Sequence, residues 1–301
     1  MSFSDNIKKE ILKADCRNSS CSLAFISGIA AFTMSIKNEA VSFLTDGEET
    51  AKRLSYMLKK TLSLNDGTLS RAKVGRGGKC FLLSYKKDES FKILKALSEE
   101  NSPDKESFKV DTERFSDTES LRRFAMGAYL GGGFTAQPEK IYHLEFASKR
   151  QEALDELGQV FTRFGEVQKR VLRKSFHVMY FKNYDSIENI LNILGAHKSM
   201  MALANIKIEK EEKNLLNRQI NFEVANMQKT NNAATEEIME IENIMYTVGL
   251  DALPEPLQEM ALLRLANPEE SLSGLSRLSG LSRSGVNHRL KKLSEIARNL
   301  E

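Results

Sequence analysis

Two short stretches, both rich in small and apolar residues, constrain this chain more than anything else in it. The first is LAFISGIAAFTMSI, residues 23–36, and the second is LRRFAMGAYLGGGFTA, residues 121–136. Each reads as a compact helix without charge after its first turn. Such helices belong in a core, and their Gly and Ala residues let a second backbone come close. Gly28 and Gly127 stand 99 residues apart. That spacing is too long for a solenoid unit and suits two pseudosymmetric halves of one domain.

The segments after the two helices are alike. After the first comes a strand-like run at residues 39–45, a helix with Ala51, Leu54 and Leu58 on one face, and strands at 67–74 and 79–85. A helix with Phe91, Leu94 and Leu97 closes that half. After the second comes a strand in 140–148, a helix with Leu154, Leu157, Phe161 and Phe164, and strands at 166–174 and 175–181. Its closing helix carries Ile187, Ile190, Leu191 and Leu194. Each half reads helix-strand-helix-strand-strand-helix. Residues 3–14 form a leading amphipathic helix with Phe3, Ile7 and Ile11 on one side, and the polar segment 99–118, with Pro103, reads as the linker between halves.

The strand pairs carry basic residues in matching places. Arg71, Lys73, Arg76 and Lys79 lie on and around the first hairpin; Lys169, Arg170, Arg173 and Lys174 lie on the second. Two basic ribbons related by a pseudo-twofold can follow a DNA groove. For either ribbon alone a solvated sheet face is the favoured reading, and the symmetric repetition is what brings DNA contact level with it.

The C-terminal end has a different grammar. Ser271 is a good N-cap, with Leu272, Leu275 and Leu278 following at helical spacing; Gly280 breaks that helix and Ser282 caps a second one. Val286, Leu290, Leu293 and Ala297 make the apolar stripe of the second helix. Its other face shows Arg283, Ser284, Asn287, His288, Lys291 and Lys292. Two short amphipathic helices around a Gly-containing turn read as a helix-turn-helix. Ser282, Arg283, Ser284, Asn287 and His288 at its start suit base edges, Lys291, Lys292 and Arg298 further along suit phosphates, and Arg289 is counted with the DNA contacts of this helix. Residues 271–301 hold six basic residues against two acids, a net +4, while the whole chain carries +3, so the remainder sums to −1. The basic excess sits on the motif. A helical hairpin with a solvated basic face is the plainer alternative.

Between these parts, residues 199–216 are polar, and NRQINFEVANMQKTNNAA at 217–234 is rich in amides. Loop formation is the favoured reading of that run; base or phosphate contact is the other. A helix with Ile238, Ile241, Met245 and Val248 comes next, and then one opened by Pro254 and Pro256, whose Leu257, Met260 and Leu263 pack under the motif.

Several function classes are excluded. No apolar run approaches a membrane span, and the first residues lack a signal-peptide core. Cys16, Cys21 and Cys80 are an odd number without histidines in ligand spacing, which indicates reduced thiols and no metal. The glycine runs at 75–78 and 131–133 lack the strand, lysine and helix of a phosphate loop and read as turns. No cofactor and no small-molecule substrate is expected, and the location expected is the cytoplasm, associated with the nucleoid.

With these motifs in hand, the chain resembles the WhiA family of DNA-binding regulators of Gram-positive bacteria over essentially its full length. FAMGAYLGGGF, PEKIYHLEF, NRQINFEVANMQKT, IMYTVGLDALPEPLQEMALLRLANPEESL and SRSGVNHRLKKL carry the likeness. The resemblance implies an α+β fold: a pseudosymmetric duplicated LAGLIDADG homing-endonuclease-like domain followed by an all-α helix-turn-helix domain. It implies domains at 1–200 (repeats at about 20–98 and 119–198) and 233–301, with 201–232 as a linker. In that linker Asn217, Arg218, Asn221, Asn226 and Lys229 are implied DNA contacts.

Homing endonucleases place an acid at the end of each such helix to hold Mg²⁺. Matching the glycines puts Thr33 and Gly132 at those positions, and neither supplies a charged oxygen. The expectation is therefore a sequence-specific duplex-DNA regulator without enzyme activity, of the kind the family supplies to transcription, cell division, chromosome segregation and sporulation. A second regulatory protein is an expected partner. A protein-interaction scaffold is the alternative, and a metal-dependent endonuclease is disfavoured.

Overall fold

A computed structural model describes residues 2–16, 18–74, 78–97 and 114–300. These fall into two compact units, Met1–Lys210 and Glu211–Glu301. In the first unit α1 (Phe3–Leu12) starts at a capping box between Ser2 and Asp5 and buries Phe3, Ile7 and Ile11. The first half then runs α2 (Ser19–Thr33), β1 (Met34–Lys37), β2 (Ala40–Thr45), α3 (Glu48–Leu62), β3 (Thr68–Val74), β4 (Gly78–Ser84) and α4 (Lys87–Leu97). The second half repeats the order as α5 (Thr118–Gly132), β5 (Gly133–Thr135), β6 (Leu144–Ser148), α6 (Gln151–Arg163), β7 (Lys169–Arg173), β8 (Phe176–Phe181) and α7 (Tyr184–Ile193). Two antiparallel sheets result, ordered β1-β2-β4-β3 and β5-β6-β8-β7.

Each half holds one more strand than the periodicity indicates. The helices α2 and α5 stop at Thr33 and Gly132, and the chain passes straight into β1 and β5, so the glycine run at 131–133, expected as a turn, is the end of α5 and the start of β5. No polar break marks the change. Met34 stays buried and Ile36 half-buried, so the apolar run continues while the backbone changes from helix to strand.

Gly28 and Gly127 explain the placement of α2 against α5. A Cβ on Gly28 would sit 2.1 Å from the Phe124 carbonyl oxygen and 3.0 Å from the Gly127 Cα. A Cβ on Gly127 would sit 2.1 Å from the Phe25 carbonyl oxygen and 3.1 Å from the Gly28 Cα. The two helices therefore cross where neither has a side chain. Around the crossing lie Phe25, Ile29, Phe124 and Tyr129, all buried and continuous with the cores under both sheets. Burying each such side chain contributes about 1.5–3 kcal/mol. The Tyr129 hydroxyl bonds Ser4 Oγ at 3.1 Å and Thr135 Oγ1 at 2.7 Å, which satisfies the one polar atom of that cluster.

The amide-rich run at 217–234, expected as a loop, is helical within α8 (His197–Thr247). No Gly or Pro occurs between 197 and 247. Asn lowers helix propensity by only about 0.7 kcal/mol per residue, and extending an existing helix avoids a new nucleus. Most of the expected linker between halves, residues 98–113, lies outside the described residues.

In the second unit the end of α8, a 3-10 turn (Leu250–Ala252), α9 (Glu255–Ala266), α10 (Leu272–Ser279) and α11 (Arg283–Arg298) surround one core. It contains Ile241, Ile244, Leu257, Met260, Leu275, Val286, Leu290 and Leu293. Three stripes differ from expectation. Ile244 is buried where the periodicity predicts Met245 and Val248, Leu278 is 56% exposed, and in the first unit Phe91 is 62% exposed while Ile93 is buried. Each helix turns by 100° per residue, and the phase that buries Ile93 or Ile244 is set by the element opposite. Arg264 is only 2% exposed; its Nε lies 3.1 Å from Glu237 Oε2 and its Nη1 donates to the Glu270 carbonyl at 2.6 Å. Among the described residues no helix is long and apolar enough to cross a membrane.

Candidate nucleic-acid interface

The hairpin of α10 and α11 is built by local rules. Ser271 caps α10 by accepting the Gly274 amide, and Gly280 ends it at φ 70°, a left-handed conformation that favours glycine. Ser276 Oγ donates to the Leu281 carbonyl at 2.5 Å and fixes the turn. Ser282 then caps α11, its Oγ accepting from the Gly285 amide at 3.1 Å.

Within α11 the spacing of Val286, Leu290, Leu293 and Ala297 buries one face. The opposite face is then fixed by helix geometry. Ser284, His288, Lys291 and Lys292 are exposed along it, with Arg283, exposed in the first turn, and half-buried Asn287 at its margin. The one acidic residue of α11, Glu295, is exposed on the same face one turn beyond Lys291, so the N-terminal half of the face is free of acids. The N-terminal turn also presents unpaired backbone amides, which favour anions.

Two expected contacts are otherwise engaged. Ser282 Oγ is occupied by the cap and lies 3.0 Å from Ser284 Oγ. Arg289 points back into its own unit, donating to the Pro256 carbonyl at 3.1 Å and lying 3.9 Å from Glu259. Its place beside buried Leu290 turns it towards α9 and off the outer face.

The basic ribbons are less open than their sequences indicate. Arg170 forms an ion pair with Asp155 and donates to the Leu154 carbonyl at 3.2 Å; Arg173 donates to Glu145 at 2.8 Å. Lys169 and Lys174 are exposed, the latter at φ 55° in the tight turn between β7 and β8. Arg71 is exposed on β3. Lys73 and Lys79 face each other in the hairpin register, and Arg76 lies outside the described residues. On α8, Asn217, Arg218, Asn221, Asn226 and Lys229 are all exposed. At 100° per residue, Asn217, Arg218, Asn221 and Lys229 fall within about 120° of one another.

The two degenerate metal positions are closed to a ligand. The buried Thr33 hydroxyl donates to the Ile29 carbonyl at 2.8 Å. A Cβ on Gly132 would meet the Phe32 ring at 2.3 Å and the Ala147 carbonyl oxygen at 2.7 Å. Beside them is a residue that sequence reasoning missed. Arg150, at the start of α6, donates through Nη2 to the carbonyls of Ala30 and Ala31 at 3.0 and 2.7 Å. Its burial lowers its pKa from the ordinary arginine value. A guanidinium thus caps the end of α2 near where an endonuclease needs a carboxylate, and nothing local in the sequence marks it.

The profile of the WhiA C-terminal HTH domain matches residues 216–297, and that of the WhiA LAGLIDADG-like domain matches residues 121–213. Similar relatives include a probable cell division protein WhiA of Clostridium acetobutylicum, 33% identical over 312 residues, covering 100% of this chain and 98% of the relative. A probable cell division protein WhiA of Clostridium perfringens is 35% identical over 320 residues, covering 100% and 98%. Among solved structures, full-length WhiA from Thermatoga maritima superposes with a TM-score of 0.61 at 23% identity, covering 99% of each chain. That last likeness speaks for the fold alone.

Proposed function

The chain belongs to the WhiA family, and on that premise we propose that it regulates transcription by reading duplex DNA with α11. The observation that carries this reading is the outer face of α11. Ser284, His288, Lys291 and Lys292 stand exposed there, with Arg283 and Asn287 at the margin, directly after a capped turn. Arg283 can take a guanine edge with two donors and Asn287 an adenine edge. Lys291 and Lys292 lie where a groove-bound helix meets phosphates, which fix register without reading sequence.

The first unit serves this function as a scaffold and a second attachment surface, without nuclease activity. Thr33 and Gly132 offer no carboxylate, and the packing of Phe32 leaves no room to put one at 132. The exposed amide and basic side of α8 adds backbone contacts, and the strand ribbons supply the second surface. A role in cell division is the reading the named relatives suggest; location in the cytoplasm at the nucleoid follows from the proposed DNA binding. The domain division expected from the sequence, with 201–232 joining two DNA-facing parts, belongs to the same proposal.

The test is duplex binding by the full chain against a site selected from random sequence, titrated with salt. Arg283→Ala and Asn287→Ala are expected to weaken the selected site by about 1–3 kcal/mol and relax its specificity. Lys291→Ala is expected to weaken all duplexes alike and reduce the salt slope by about one. Unchanged affinity in both recognition variants would remove α11 from the interface. Incubation of the same duplex with Mg²⁺ is expected to leave it uncut.

A further inference from the structure

The two halves share a topology but not an outer sheet face. The inner faces are matched: Val41, Phe43 and Leu83 are buried in the first sheet, and Leu144, Phe146, Met179 and Phe181 in the second. Strand alternation sends the neighbouring residues outward. In the first sheet these are mostly small and neutral, with Ser35, Ser42, Thr68, Ser70 and Ser84 among them.

The second sheet is different. Its register lines up Phe134, Glu145, Tyr180 and Lys169 in one row across all four strands. The next row is Ala147, Val178 and Val171, and beyond it Phe176 pairs with Arg173. Phe134 is 49% exposed and Phe176 42% exposed. Lys149 Nζ lies 5.7 Å from the Phe176 ring centre, and Lys182 Nζ 5.1 Å from that of Tyr180. His143 stacks on Tyr180 at 5.9 Å. Glu145, the one carboxylate in these rows, accepts from Arg173 and lies 2.8 Å from His143 Nε2. The face therefore combines exposed rings with a cationic excess.

We propose that this face binds single-stranded nucleic acid, with unpaired bases stacking on Phe134 and Phe176 and phosphates met by Lys149, Lys169 and Lys182. Every base has a π-face for a ring to cover, and ammonium groups track the backbone, so rings interleaved with lysines suit an unpaired strand. A duplex keeps its base faces stacked inside and shows only edges, so exposed phenyl rings gain little from it. The register separates Phe134 from Phe176 by two strands and four residues, about 17 Å, so a bound strand spans several nucleotides. DNA and RNA share this chemistry. The site is independent of α11 and shares only Lys169 with the strand ribbons proposed above to meet duplex DNA.

The chain has no tryptophan. Phe176→Trp therefore keeps an aromatic platform and installs a single reporter. Full-length protein carrying Phe176→Trp is titrated at low salt with oligothymidylate and oligouridylate of about 12 nucleotides and with a duplex of equal length. The expected result is quenching by one or both single strands and clearly weaker quenching by the duplex, which meets this sheet only through the β7–β8 ribbon. Phe91→Trp, on exposed α4, is the control and is expected to stay unquenched. In anisotropy titrations with labelled single strands, Phe134→Ala and Phe176→Ala are each expected to weaken binding about 5- to 100-fold. Phe91→Ala, exposed on α4 and away from the sheet face, is expected to leave single-strand affinity unchanged. Quenching by oligouridylate alone assigns the site to RNA, and by oligothymidylate alone to DNA. The proposal is overturned if neither strand quenches, if the alanine variants bind as the parent does, or if the duplex quenches as strongly. In the first case a protein is the better occupant for the face.

Discussion

The contact between Gly28 and Gly127 can be tested by adding one methyl group. Gly127→Ala puts a Cβ 2.1 Å from the Phe25 carbonyl oxygen and 2.9 Å from the Ile29 amide nitrogen. An ordinary contact needs about 3.4 Å, so α2 and α5 must separate by about 1 Å, and the obstacle is backbone with no rotamer to change. Overpacking usually costs about 1–3 kcal/mol; a backbone obstacle places this case at or above the top of that range. A gap of 0.5–1 Å forfeits about a quarter to a half of each dispersion contact across the interface. Against this, alanine in a helix gains about 1 kcal/mol over glycine. The net expectation is a loss of about 2–3 kcal/mol. Urea unfolding followed by tyrosine fluorescence measures it, because Tyr246 is the one tyrosine outside the first unit. Gly28→Ala is expected to cost about the same, and the double variant clearly less than the sum, since the helices are already apart after the first substitution. Gly47→Ala, where the nearest atom is 3.6 Å away, serves as the control. A Gly127→Ala protein as stable as the parent would refute the close crossing.

Gly132→Asp, which restores a carboxylate at the endonuclease position, is expected to lower the unfolding midpoint and confer no Mg²⁺-dependent cleavage, because the Phe32 ring and the Ala147 carbonyl fill the space. Cleavage by that variant, read on supercoiled plasmid, would contradict the closed site. Ser282→Ala removes the cap on the Gly285 amide and is expected to cost about 1 kcal/mol in the second unit, read by urea melts monitored by circular dichroism. Burial raises the Glu237 pKa above the ordinary glutamate value, with Arg264 opposing and Glu240 adding to the rise. The folded state thus holds this proton more tightly than the unfolded chain does. Its contribution to stability is full below the unfolded pKa and lost as pH rises through the folded one. Glu237→Gln is expected to flatten that fall; an unchanged pH profile of stability would count against it.

The features legible in the sequence and those that were not divide along the range of the interactions involved. The helix-turn-helix could be read residue by residue because everything that builds it is local. Ser271 and Ser282 cap within three residues, Gly280 adopts its left-handed turn without help, and Val286, Leu290, Leu293 and Ala297 repeat at the helical period. The duplication was legible for a related reason: Gly28 and Gly127 recur in the same setting, and only small residues permit a crossing that close.

The tertiary structure decided the features that depend on partners distant in the chain. The extra strands β1 and β5 form because β2 and β6 lie beside them; their apolar sequences fit a helix equally well. The amides at 217–234 favour turns locally, yet the helix on either side carries through them. Arg289, Arg170 and Arg173 are basic in any reading, but Pro256, Asp155 and Glu145 hold them within the fold. Charge is a property of the sequence, whereas its availability to a ligand depends on which acceptors folding brings within about 3 Å. Arg150 is the clearest case: its acceptors, the carbonyls of Ala30 and Ala31, are about 120 residues away, and only the crossing of α2 and α5 sets the end of α2 beside it.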